Sequence, residues 1–159
     1  MRHDSPTIPS PDDTIVAPAT GRDPGAIAIV RLSGPSTSAV LERCFRAAGK
    51  HKPPDAPRVL VRGTSIAADG AEIDDCLAVW MPAPRSFTGE DAAEIHCHGG
   101  PAIVAAILDA AVAAGARLAE PGEFSRRAFL NGRMDLAQAE AVADLVVART
   151  DLARRLALR

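Results

Sequence analysis

The 159-residue sequence has no tyrosine, one tryptophan and four phenylalanines, so aromatics make up only 3% of it. The large rings that dominate most cores are scarce, and alanine, with 32 residues, must fill the interior through close packing of helices and strands. Cys44, Cys76 and Cys97 are odd in number and widely spaced, which excludes a disulfide framework and predicts a reducing, cytoplasmic setting. No run of about 18 apolar residues exists, so no transmembrane helix is expected. Residues 1–12 carry Pro6, Pro9 and Pro11 among polar neighbours, lack the apolar centre of a signal peptide, and read as a disordered tail. Lysine is confined to Lys50 and Lys52, and a net charge of −2 gives no basic footprint of a dedicated nucleic-acid-binding domain.

Three chemistry-bearing motifs are also missing. The one Gly-Lys pair, Gly49-Lys50, is followed by His51, so no P-loop cradles a phosphate, and neither GxGxxG nor HExxH occurs. Nucleotide hydrolysis, Rossmann dinucleotide binding and zinc-peptidase chemistry lose their main support.

What is present is an alternation of strand-like and helix-like segments. Thr14–Ala17 is a short strand, and the apolar run Ala26–Leu32 reads as a strand buried on both faces. Val40, Leu41, Cys44, Phe45 and Ala48 keep helical spacing up to a stop at Gly49. Arg58–Ala67 and Ile73–Met81 flank the turn Asp69-Gly70 as a hairpin, Ala93–His98 is a further strand, and a helix runs from Pro101 to Gly115. Arg117–Ala119 returns as a last strand. Beyond Pro121-Gly122 the pattern is helical: Glu123–Leu130, then a helix opened by an Asp135/Gln138 capping box. That helix reaches Arg159 without a stop signal, which predicts a truncated chain, and its apolar stripe from Leu145 to Leu156 predicts self-association. The fold class is α+β, a mixed sheet with two packing helices over 13–120, followed by an all-α segment over 121–159.

The densest polar cluster is Glu94-Ile95-His96-Cys97-His98. On a strand, Glu94, His96 and His98 share one face. Two histidines and a carboxylate allow a metal site, but the remaining histidines, His3 and His51, fall in loops; histidines hydrogen-bonded at the mouth of a cleft are the commoner arrangement, and no metal is expected. Glu94 needs a partner. Either a flat heterocycle offering an amino group beside a ring N–H, as in a pterin or purine, or a structural arginine such as Arg31 would satisfy it. The arginines of the C-terminal helices, Arg126, Arg127, Arg133, Arg149, Arg154, Arg155 and Arg159, suit either an RNA backbone or a solvated helix face.

The run PGEFSRRAFLNGRMDLAQAEAVADL over 121–145, with SFTGED over 86–91, EIHCHGGP over 94–101, RLSG over 31–34 and DTI over 13–15, closely resembles the tRNA modification GTPases of the MnmE (TrmE) family, in the same order. The resemblance implies a folate-binding domain of the aminomethyltransferase-like type that also forms the homodimer, followed by the start of a helical domain. It implies 5-formyltetrahydrofolate or 5,10-methylenetetrahydrofolate as the one-carbon cofactor, bound by Arg31, Glu94 and Arg133. Arginine at 133 stands where the family commonly has lysine, and the loop Thr20–Gly25 lacks the more usual Gly-Gly pair. Partners implied are an MnmG-like flavoprotein and tRNA. The resemblance also implies a GTPase segment, to which GTP, Mg and K would belong, and a C-terminal Cys-x-Gly-Lys; both are missing from this sequence, so no catalytic residue is expected here. A stand-alone folate-dependent one-carbon transferase and a pure dimerisation module are the alternatives.

Overall fold

A computed structural model describes residues 12–21 and 25–147, the last four of these by backbone alone. Of the expected tail over 1–12, residues 1–11 lie outside the described residues, and the stripe from Leu145 to Leu156, with Arg149, Arg154, Arg155 and Arg159, lies outside the described residues or side chains.

Seven strands form one mixed sheet: β1 (Ile15–Pro18), β2 (Gly25–Ser33), β3 (Phe45–Ala47), β4 (Val61–Ile66), β5 (Glu72–Met81), β6 (Ala92–Gly99) and β7 (Arg117–Leu118), in the order β3-β4-β5-β6-β2-β1-β7. Every neighbouring pair is antiparallel except β1 and β7, which run parallel. Four α-helices accompany the sheet among the described residues: α1 (Thr37–Cys44), α2 (Pro101–Ala113), α3 (Glu123–Leu130) and α4 (Leu136–Val147). The α+β class read from the sequence is the class observed.

The core lies between one face of the sheet and the pair α1 and α2. Ala28, Val30 and Leu32 of β2, Cys76, Ala78 and Trp80 of β5, and Ala93, Ile95 and Cys97 of β6 meet Val40, Leu41 and Cys44 of α1 and Ile107, Ala110 and Ala111 of α2. Period-two alternation sends the intervening residues to the opposite face. There the sequence reading of β2 needs correction: the strand is buried on one face only, and Ile27 is 68% exposed. Apolar side chains on both faces made the run look doubly covered, whereas α1 and α2 pack on the same side.

A second correction concerns α1, which stops at Cys44 instead of continuing to Ala48. Phe45–Ala47 turns into the edge strand β3, paired with Gly63–Ser65 of β4. Gly63 makes this possible, because a Cβ there would lie 2.3 Å from the Arg46 carbonyl oxygen and 2.4 Å from the Phe45 ring. The close approach of that strand to β4 is a contact nothing in the local spacing of 37–49 encodes.

Helix α3 is fastened to the sheet by a buried ion network. Arg117 of β7 grips both oxygens of Glu123 at 2.8 and 3.1 Å, and Arg127 reaches Glu123 at 3.2 Å and the Asp13 carbonyl at 2.7 Å. Arg117 also holds the Asp13 carboxylate at 3.1 Å. Burial by itself would raise the Glu123 pKa, but Arg117, the Glu120 amide and Arg127 outweigh it and hold the carboxyl at about 2.

Candidate functional site

The face of the sheet opposite α1 and α2 carries the charged cluster. On β6, Ile95 and Cys97 point into the core while Glu94 and His96 stay partly open and His98 is exposed, the alternation expected from the sequence. Register places Arg31 of β2 directly opposite Glu94. The Arg31 Nε donates to Glu94 Oε1 at 2.9 Å, and Nη2 lies 2.8 Å from the same oxygen. His96 Nε2 is 3.0 Å from Oε2. Of the two partners the sequence allowed for Glu94, the structure shows the arginine in contact with it.

His98 is held separately. Its Nδ1 lies 2.8 Å from Asp74 Oδ1, and its backbone N–H donates to Asp74 Oδ2 at 2.8 Å. Both histidines therefore have carboxylate partners, and among the described residues no group of three or more His, Cys, Asp or Glu is arranged to hold a metal ion.

Beside Arg31 stands the loop Ser86–Asp91. Thr88 is buried and its hydroxyl lies 2.6 Å from Ser33 Oγ, which in turn donates to Glu90 Oε2 at 2.7 Å. Glu90 also meets Arg127, with both carboxylate oxygens 3.3 Å from Nη1. Pinned on both sides in this way, the loop presents Phe87 to solvent, and the Arg31 guanidinium carbon sits 5.3 Å from the ring centroid. The sequence does not single out Phe87; the one available signal is an aromatic in a polar loop of a chain with few aromatics.

Arg133 is brought to the same loop and not to Glu94. Its Nε donates to the Ser86 carbonyl at 3.1 Å, while Asn131 Nδ2 donates to the Thr88 carbonyl at 2.8 Å. Gly89 makes room for this contact, since a Cβ there would meet Arg133 Cγ at 2.9 Å. Arg31 and Glu94 are therefore in direct contact, and Arg133 braces the segment that carries Phe87.

Arg31 and Phe87 open onto a cleft of about 470 Å³ that is also lined by Pro18, Glu120, Glu123 and Phe124. A cleft of that size with two phenyl rings and a carboxylate beside it suits a flat, partly polar small molecule. Burial pushes the Cys44 thiol up to about 12 and the Cys76 thiol to about 11, so both stay protonated near neutrality. Among the described residues no helix is long and apolar enough to cross a membrane.

Residues 14–133 match the family model described as the GTP-binding protein TrmE N-terminus. The chain is 54% identical over 147 residues to the tRNA modification GTPase MnmE of Nitratidesulfovibrio vulgaris (strain DP4), covering 92% of this chain and 32% of that protein. Over the same shares it is 52% identical to the protein of that name from Phenylobacterium zucineum and 47% identical to the one from Thermotoga maritima. The chain thus spans about a third of the length of the curated relatives it matches.

Proposed function

The chain belongs to the TrmE (MnmE) family, matching its N-terminal region, and on that premise we propose that it binds a tetrahydrofolate one-carbon donor, 5-formyltetrahydrofolate or 5,10-methylenetetrahydrofolate, and forms the family's homodimer. The observation that carries the reading is Glu94, a partly open carboxylate on the sheet face, paired with Arg31, which lies over the Phe87 ring and lines the 470 Å³ cleft. The donor set fits the cofactor. A pterin offers an amino group and a ring N–H on one edge, which a carboxylate accepts, and a flat ring that an exposed phenyl face stacks against.

Glu94 would hold the pterin edge, Arg31 would contact the cofactor through its forked N–H groups, and Arg133, where the family commonly has lysine, would act from the loop behind Phe87. The bound folate supplies the one-carbon unit. This chain's own part is to orient the ring and, through Phe87 and Phe124, to exclude water from one side of it. Hydrolysis of GTP with Mg and K, pairing with an MnmG-like flavoprotein and modification of tRNA in the cytoplasm belong to the longer protein in this proposal. A domain boundary near residue 120 is part of the same reading, with 121–159 beginning the helical domain. A stand-alone one-carbon transferase is disfavoured because burial holds the Cys44 and Cys76 thiols protonated near neutrality.

Calorimetric titration of the folded chain with 5-formyltetrahydrofolate is the direct test. Saturable one-site heat is expected, and its absence with intact circular dichroism would remove the folate assignment.

A further inference from the structure

Arg31 occupies the two contacts that a pterin would need. Glu94 offers about four lone-pair positions; both on Oε1 face Arg31 through Nε and Nη2, and one on Oε2 faces His96. A ligand edge that engages both carboxylate oxygens finds one of them already taken. The same guanidinium lies over the Phe87 ring, 5.3 Å from its centroid, where a stacked pterin would compete with it. A guanidinium is a planar N–C–N unit with paired N–H donors that stacks on aromatic rings. The 2-amino edge of a pterin is also a planar N–C–N unit with paired N–H donors.

We propose that Arg31 is an internal stand-in for the pterin ring: the incoming ring displaces it from Glu94 and Phe87, and the freed guanidinium turns into the adjoining cleft to pair with the glutamyl carboxylates of the folate tail. The inference rests on the folate reading above. Arg31 already borders that cleft, so leaving Glu94 asks only for side-chain rotation. Among the described residues lining the cleft, the other charged groups are Glu120 and Glu123, and Glu123 is tied to Arg117 and Arg127. Among the described residues lining the cleft Arg31 is the one cation, so an anionic tail lying there has that guanidinium as its side-chain ion partner. One residue thereby couples two requirements: the pterin must be present to release the guanidinium, and the tail must be present to receive it.

The test titrates this chain and its Arg31→Gln variant with 5-formyltetrahydrofolate by calorimetry, and with the tail-less 6-methyltetrahydropterin by saturation-transfer NMR. The two affinities are expected to move in opposite directions. Removing the competitor tightens the tail-less pterin by roughly tenfold, because the competent site is no longer mostly self-occupied, and losing the tail contact weakens the folate by a similar factor. Arg31→Lys keeps the charge without the fork; it should retain folate affinity while gaining part of the pterin affinity, and it carries the test should the glutamine variant fail to fold. Equal weakening of both ligands in Arg31→Gln overturns the proposal and makes Arg31 an ordinary contact, leaving the folate reading in place. A native chain that binds neither ligand while folded sinks the folate reading itself, and the stand-in role with it.

Discussion

Glu94 and Glu123 are both glutamates gripped by arginine, and their surroundings send them to different ends. The Glu123 side chain is 1% exposed and takes donors from Arg117, Arg127 and the Glu120 amide, so its lone pairs are spent inside the protein. The Glu94 side chain is 15% exposed, keeps one acceptor position open beside His96, and is paired with an arginine that lies over an aromatic ring and lines a cleft. An arginine–carboxylate pair therefore says little about role by itself. What separates a fastening from a recognition site is whether the carboxylate has capacity left and whether solvent reaches it.

The largest effect that tests this contrast is on stability. Replacing Glu123 by Ala leaves Arg127, whose side chain is 5% exposed, without its helical partner, and removing one member of a buried pair costs about 3–5 kcal/mol. Urea unfolding should show that loss for Glu123→Ala and a loss of about 1 kcal/mol or less for Glu94→Ala, whose pair is partly solvated. Equal losses at the two sites would erase the distinction between them.

Acid supplies the next test. Because the folded-state pKa of Glu123 is depressed to about 2 from an ordinary 4.5, the unfolded chain binds the proton more readily than the native one. The contribution is present in full above about pH 4.5 and disappears as pH falls towards 2, a change on the order of 3 kcal/mol. Urea midpoints measured between pH 5 and pH 2.5 should fall steeply for the native chain and flatten in Glu123→Gln.

The third effect inverts the ranking. In folate titrations, Glu94→Ala should cost about 1.5–3 kcal/mol of binding, the worth of a hydrogen bond to a charged group. Glu123→Gln, assayed at neutral pH where it remains folded, should bind within a factor of about two of the native chain, because the Glu123 oxygens face Arg117, Arg127 and the Glu120 amide. A variant at 123 that binds as poorly as Glu94→Ala would mean that the cleft wall, not the sheet face, carries recognition.

The two sites differed as much in legibility as in role. The shared face of Glu94, His96 and His98 follows from the period of a strand, and the Arg31 pairing was one of two readings the sequence left open. The grip of Glu123 by Arg127 was written at i,i+4 spacing in α3, yet its weight comes from Arg117, Asp13 and Glu90, which reach it across up to 114 residues of chain. Phe87 had no periodic neighbour to reveal it, and the Asp74 partner of His98 lies 24 residues away on β5. Strand β3 failed for the same reason, since its cause, the missing side chain at Gly63, lies 18 residues from Phe45 and outside any local window. Period and capping are local properties; saturation of a carboxylate is a property of the assembled fold.

The loop Ser86–Asp91 joins the two regions, and a small perturbation there asks whether they communicate. Glu90 contacts Arg127 of the buried network, whereas Phe87, three residues earlier, faces Arg31. Between them Gly89 has φ +81, a left-handed conformation that L side chains rarely adopt, and a Cβ there would press on Arg133 at 2.9 Å and on Asn131 at 3.3 Å. Gly89→Ala is expected to destabilise by about 1–2 kcal/mol from backbone strain. The arginine stem is flexible and yields, so the further consequence is loss of its bond to the Ser86 carbonyl and a looser Phe87. Folate affinity should then fall by the same modest factor in Gly89→Ala, in Arg133→Ala and in the double variant, because all three release the same carbonyl. If the two single effects add instead, Arg133 reaches the ligand directly and its hold on the loop is incidental.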